Sequence, residues 1–295
     1  MSSQSNLALG TSSWTFKEWK GLFYPEKLPA KKHLAHYSCI FNSVEVNTSF
    51  YALPKATTVQ QWMAAVPEGF TFSLKFPRII SHEKRLVKCE EETLAYLALV
   101  QSFGTAAAPG LLQLPPSFTR AKSGLTLARY LDWLAEQLHD SFQKLQVTVE
   151  VRSRDLMTRP FAMFLAERGM GLALVDRLGT EDMRDIWLEL ADAQQTPLFT
   201  FIRWIGDDKN GPKGNRELSN PRDTELEGWS TFIQRCYGIG HDIYGYMHNP
   251  YEGYSPESVR RLQSCLQAHA QTDFPIWSSN ETIGAVGVQG ELFGR

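Results

Sequence analysis

Eight short apolar runs of strand length alternate with eight stretches of helical periodicity, and this alternation restricts the chain to folds built on a parallel sheet. The strand-like runs are Leu7 to Gly10, Phe41 to Val46, Phe70 to Phe76, Leu111 to Leu114, Val147 to Val151, Leu172 to Val175, Leu198 to Trp204 and Ile243 to Met247. The helical stretches between and after them run from Lys31 to Ile40, Ala56 to Ala65, Glu90 to Phe103, Leu125 to His139, Pro160 to Arg168, Glu181 to Ala193, Glu225 to Tyr237 and Pro256 to His269. Leu125, Ala128, Leu131, Leu134 and Leu138 recur at helical spacing, Ser255-Pro256 reads as an N-cap with a proline at the first helical position, and Thr224 with Glu227 reads as a capping box. No glycine-rich phosphate fingerprint follows the first strand, so a closed α/β barrel of the (β/α)8 TIM type is expected rather than an open doubly wound sheet. One domain over 1–295 is expected, with a short C-terminal tail from about residue 273. The long irregular stretch Ile205 to Asp223, with Gly206, Gly211, Pro212, Gly214 and Pro221, reads as a functional loop and a lid candidate.

Composition limits the partners. A formal net charge of -2 gives no overall pull toward nucleic acid or an anionic membrane, so anion binding must come from a local cluster. Residues 1–6 carry no basic and apolar signal pattern, and no later stretch approaches the roughly 20 apolar residues that span a bilayer, so the chain is read as cytoplasmic with no membrane partner. Cys39, Cys89, Cys236 and Cys265 have no C-x-x-C spacing and read as buried or half-buried thiols on helices.

In a barrel the chemistry gathers at the C-terminal ends of the strands, and those positions are polar here. Along Phe41 to Tyr51, Glu45 and Asn47 share one face while Val44 and Val46 share the other, which aims a carboxylate and an amide inward. Strand one ends at Ser12 and Trp14; Tyr51 follows strand two; strand three offers Lys75 and then Arg78 and His82; strand four ends at Gln113. Strand five places Thr148, Glu150 and Arg152 on the inner side; Asp176 and Arg177, Arg203 and Trp204, and Tyr246 to Asn249 with His248 end the last three strands. Lys75, Arg78, Arg152, Arg177 and Arg203 outnumber Glu45, Glu150 and Asp176, a balance that suits a phosphate or carboxylate held by arginine forks, with Trp14, Tyr51 and Trp204 as stacking surfaces. Glu45, Glu150 and Lys75 are the candidate acid-base groups, and Arg203 is expected to face an open anion site. The simpler alternative is that Glu150 with Arg152, or Glu45 with Lys75, only neutralise one another, that His82 and His248 are loop residues, and that the aromatics cap the barrel.

Other motifs fail on spacing. Gly206 to Lys213 resembles a P-loop, but Pro212 stands where lysine is required. No G-x-S-x-G elbow occurs. No cofactor is expected; His82, Glu150, Asp176 and His248 offer a divalent metal a rim without any ligand spacing to support it.

Several of these segments also occur together elsewhere. Gly10-Thr11-Ser12-Ser13-Trp14, Glu45-Val46-Asn47-Thr48-Ser49-Phe50-Tyr51 with Leu53-Pro54, Phe72 to Pro77, Ile80-Ser81-His82, Leu112 to Phe118 and Val149-Glu150-Val151-Arg152 closely resemble the YecE-like family, the domain of unknown function seventy-two. Phe201-Ile202-Arg203-Trp204-Ile205-Gly206, followed by Asn215-Arg216-Glu217-Leu218, resembles the YecE branch. The resemblance spans nearly the whole chain and implies a TIM barrel; the likeness of that barrel to sugar-phosphate isomerases and to endonuclease IV is one of fold alone. Ile205 and Ser153 stand where many members have histidine, so no mechanism that needs either histidine is carried over. Three function classes follow for testing: an enzyme or binder of a small anionic compound, with Glu45, Lys75, Glu150, Arg152 and Arg203 foremost; a metal-dependent phosphodiesterase acting on nucleic acid; and a non-catalytic regulatory protein on an enzyme-like scaffold.

Overall fold

All eight strands form. The computed structural model describes residues 5–268 and places β1 (Leu7–Thr11), β2 (Ser43–Val46), β3 (Thr71–Leu74), β4 (Gly110–Gln113), β5 (Val147–Glu150), β6 (Gly171–Arg177), β7 (Phe199–Gly206) and β8 (Asp242–Met247) in one parallel sheet. The helices are α1 (His33–Ser38), α2 (Ala56–Ala64), α3 (Glu90–Gln101), α4 (Arg120–Asp140), α5 (Arg159–Ala166), α6 (Arg184–Asp192), α7 (Asp223–Gly238) and α8 (Ser255–Ala268). The expected helix end at His269 and the tail from 273 lie outside the described residues. Neighbours run β3-β2-β1-β8-β7-β6-β5-β4, and the two outer strands meet through the isolated bridges Phe72 with Ala107 and Lys75 with Leu111. The result is a nearly closed (β/α)8 barrel.

Period-two alternation sets what each strand presents. Val44, Val46, Leu74, Leu112, Val149, Leu174 and Ile202 point outward into one continuous core with the helices. Ala8, Leu111, Ala173, Phe199, Phe201, Tyr244 and Tyr246 fill the barrel itself. Hydroxyls complete that filling: Thr71 donates to Ser43 Oγ at 2.8 Å, and Ser43 Oγ lies 2.8 Å from the Tyr246 hydroxyl. Gly10 is required where β1 meets β2, because a Cβ there would sit 1.9 Å from the Ser43 carbonyl oxygen. The Tyr37 phenol from α1 enters the same gap, accepting from the Thr11 N–H at 2.8 Å and donating to the Ser43 carbonyl at 2.9 Å.

Some local expectations shift. α4 begins at Arg120, with the Thr119 hydroxyl accepting from the Lys122 N–H, and Leu125, about 200° around the helix from the buried Leu127, faces solvent at 66% exposure. The buried stripe is Leu127, Leu131, Leu134 and Leu138 instead. α7 begins at Asp223, which puts Thr224 inside the first turn, so the capping box does not form. The N–H and hydroxyl of Ser255 both donate to Asn249 Oδ1, at 3.0 and 2.8 Å, so the hydroxyl is committed there. Cys39 is exposed, contrary to expectation, because it ends α1 on the outer surface. Among the described residues no helix is long and apolar enough to cross a membrane.

The loop between β7 and α7 is held at both ends. Asp207 accepts the N–H groups of Lys209 and Asn210 at 3.1 and 2.9 Å. Ser219 and Asn220 donate their N–H groups to the Glu252 carbonyl, and the Arg222 N–H donates to the buried Glu252 carboxylate at 2.8 Å.

Candidate functional site

At the C-terminal end of the barrel, β2, β5 and β7 each deliver one inward ionic side chain to a common point. Arg203 grips Glu45 with two hydrogen bonds, Nε to Oε2 at 2.7 Å and Nη2 to Oε1 at 2.9 Å, and donates Nη1 to Glu150 Oε2. Both carboxylates are wholly buried and Arg203 is 2% exposed. Asn47 donates to Glu45 Oε1 at 3.0 Å, and Arg152 donates Nε to Glu150 Oε1 at 2.8 Å. Burial pushes the Glu150 carboxyl up, but Arg203, Arg152 and Lys75 together outweigh it and hold the group down at about 2. Glu150 is therefore an ionised acceptor and no proton donor near neutrality.

The expectation that Arg203 faces an open anion site is corrected by this geometry. Its guanidinium is consumed by two carboxylates because all three lie on the inner face of the barrel, where an unpaired charge would be costly. Glu45 pairs with Arg203, while the expected Glu150 to Arg152 contact does form.

β3 and β4 present a different chemistry. Lys75, 9% exposed, donates Nζ to the neutral Gln113 Oε1 at 2.6 Å and lies 4.3 Å from the centre of the Phe50 ring. Among the described residues no carboxylate lies within ion-pairing distance of its amine. Burial, with Arg203 next, lowers the Lys75 pKa from its ordinary 10.5 to about 8. His82 packs edge-on against Phe50 with ring centres 5.0 Å apart, and its Nδ1 lies 2.8 Å from Ser81 Oγ. Burial and then Lys75, Arg78 and Arg152 push its pKa down. His248 Nε2 is buried without a hydrogen bond, 3.7 Å from Glu45 Oε1, and burial followed by Arg203 pushes its pKa well below the ordinary histidine value.

Around this centre the other candidates divide. Ser12 is buried one residue past the β1 position that pairs with Met247, and so lies level with His248. Tyr51, 75% exposed, stands on the rim against Phe50, and Arg78 is on the rim paired with Glu83 at 2.9 Å. Trp14 leans edge-on against Trp62 of α2 at 5.2 Å. Asp176 and Trp204 do not join the cluster. Alternation turns both outward: Asp176 accepts from the Trp229 indole at 2.8 Å and the Tyr251 hydroxyl at 2.9 Å, and Trp204 packs edge-on against Trp229. With Asp176 outside, the imagined metal set of His82, Glu150, Asp176 and His248 is not assembled, and no metal-ligand cluster of His, Cys, Asp and Glu occurs among the described residues.

Two neighbours were not singled out as site residues from sequence. Asp208, from the loop after β7, pairs with Arg177 at 2.9 Å and lies 4.0 Å from Arg152. Phe50 underlies both Lys75 and His82. The Asp207-Asp208 pair directly after a strand end was the available signal for the first; nothing marked Phe50 apart from the aromatic residues beside it.

The family profile described as "Protein of unknown function DUF72" matches residues 8–280. The chain belongs to the DUF72 family. Among curated DUF72 relatives, it is 25% identical over 270 residues to the UPF0759 protein YecE of Escherichia coli K12, covering 88% of this chain and 92% of that protein. It is 24% identical over 264 residues to the UPF0759 protein YunF of Bacillus subtilis strain 168, covering 82% and 89%. A crystal structure of a DUF72 protein from Thermotoga maritima MSB8 superposes with a TM-score of 0.72 at 20% identity, covering 89% of this chain and 99% of that one, a likeness of fold.

Proposed function

We propose that this DUF72 barrel binds a small compound bearing a phosphate or carboxylate at its C-terminal mouth and acts on it there. The observation that supports this reading is Lys75, the one buried lysine among the described residues and a cation whose direct partner is a neutral amide. Lys75, Arg152, Arg177 and Arg203 oppose Glu45, Glu150 and Asp208, so the cluster keeps one positive charge without a counter-ion. An anion entering the mouth would supply it, and Arg152 and Arg177 at the rim have the fork geometry to receive its oxygens. A phosphodiesterase reading lacks an assembled metal-ligand set among the described residues to support it. Inorganic phosphate should raise the melting temperature of the wild type in a thermal-shift assay, with a much smaller rise in Lys75→Met. An equal rise in both proteins removes the basis for the reading.

A further inference from the structure

Lys75 differs from the other lysines in more than charge. Lys84 is paired with Glu92 and Lys20 with Glu26, both near the surface, whereas Lys75 is enclosed at the end of the barrel interior. A carboxylate partner would lock its amine in the protonated form. Gln113 Oε1 accepts a hydrogen bond from either the ammonium or the amine, so the nitrogen can lose its proton without stranding a charge. Desolvation beside another cation is a recognised way to make a lysine a nucleophile. The surroundings also suit a cation that replaces the ammonium at the same point: the Phe50 face lies 4.3 Å below, and Glu150 and Glu45 favour a positive charge there.

We infer that Lys75 forms a Schiff base with a carbonyl carbon of the anionic ligand, which makes the substrate class an oxo-carboxylate or a phosphorylated aldehyde or ketone. The inference rests on the anionic-ligand reading above and assigns the covalent chemistry of the same site. The amine lone pair attacks the carbonyl carbon, the N–C bond forms, and the carbonyl π pair becomes an alkoxide. Protons shed by nitrogen pass through water to that oxygen, the C–O bond breaks, and one water leaves. The imine nitrogen keeps or takes one proton and becomes an iminium over Phe50. No oxidant or reductant is consumed. The iminium withdraws electrons from the adjacent carbon, which opens carbon–hydrogen or carbon–carbon cleavage next to the former carbonyl.

Trapping tests this directly. The full-length protein is incubated at neutral pH with pyruvate or with dihydroxyacetone phosphate, reduced with sodium borohydride, digested and mapped by mass spectrometry. The expected result with pyruvate is a stable adduct, one pyruvic acid less one oxygen atom, at Lys75. Because reactivity follows the free-amine fraction, its yield should exceed that at any surface lysine by about tenfold or more. Inorganic phosphate should suppress the adduct, and Lys75→Arg, checked for an unchanged fold by circular dichroism, should lack it. Phosphate binding by the wild type is measured in parallel. If phosphate binds but neither probe is trapped at Lys75, or if adducts spread evenly over surface lysines, the Schiff base is overturned and the anion site stands. If phosphate fails to bind as well, both readings fall.

Discussion

Two sectors of the same barrel mouth use their cations in opposite ways. On the β2, β5 and β7 side, Arg203 is clamped between Glu45 and Glu150, and each carboxylate has a further donor in Asn47 or Arg152. On the β3 and β4 side, Lys75 has an amide and an aromatic face. The first sector resolves its charges internally; the second holds a cation against a neutral amide. A count of charged residues at strand ends treats the two alike, whereas their hydrogen bonds separate a closed clamp from a cation with a neutral partner.

The contrast breaks most visibly if Arg203 proves dispensable. Arg203→Ala would leave two buried carboxylates facing one another, and the expected loss in urea unfolding is on the order of 3 to 5 kcal/mol. The acid side carries the same signature. Glu150 falls from its ordinary 4.5 to about 2 in the folded protein, so its contribution is present above 4.5 and drains away as pH falls from there toward 2. Arg203→Ala should lose much of that acid dependence. A loss under about 1 kcal/mol would place the two sectors in the same class.

Lys75→Met should behave in the opposite sense and leave the protein as stable as the wild type or more so, because a cation kept for an absent partner carries a desolvation cost. The lysine pKa is lowered by folding, from 10.5 to about 8, so the unfolded chain binds the extra proton between those values. Wild-type stability relative to Lys75→Met is therefore expected to rise as pH climbs from 8 toward 10.5 and to be flat below 8. Chemical denaturation of the two proteins across that range measures it, and a flat difference throughout contradicts the lowered pKa.

The smallest effect belongs to the rim. Asp208 occupies Arg177 and lies near Arg152, where an incoming anion would meet both. Asp208→Asn should change stability by less than about 1 kcal/mol and tighten phosphate binding by about fivefold, read by calorimetry. Weaker binding would mean that Asp208 helps to hold the ligand.

Period-two alternation made the barrel, and the inward aim of Glu45, Asn47, Glu150, Arg152 and Arg203, readable from the chain. Carried along β6 and β7, it would also have assigned Asp176 and Trp204 to the outer layer; listing strand ends by chemistry alone swept them into the site instead. What Arg203 was for could not be read, because its partners are 158 and 53 residues away and the choice between an open fork and a closed clamp depends on strand register across the barrel. Asp208 was hidden for a related reason: an irregular loop has no period from which to infer where a side chain turns.

The bridges between β3 and β4 bear on how the ring of strands is held together. Where the first and last strands meet, β1 and β8 are matched over five residue pairs from Leu7 with Ile243 to Thr11 with Met247, although no peptide bond joins them directly. Where β3 meets β4, α3 links them in sequence but the ladder thins to bridges. Side chains take over there: Ser73 donates to the Pro109 carbonyl at 2.7 Å, Tyr96 to the Leu74 carbonyl at 2.6 Å, and Lys75 to Gln113. The ladder thus stays long where the covalent thread is interrupted, five pairs against six between β7 and β8, and thins to bridges at a point where α3 keeps the thread continuous. Lys75 is both the outermost stitch of that sparse seam and, in the proposed reading, the group offered to the ligand, so a molecule that takes hold of Lys75 also takes hold of the join where the ring is most thinly paired.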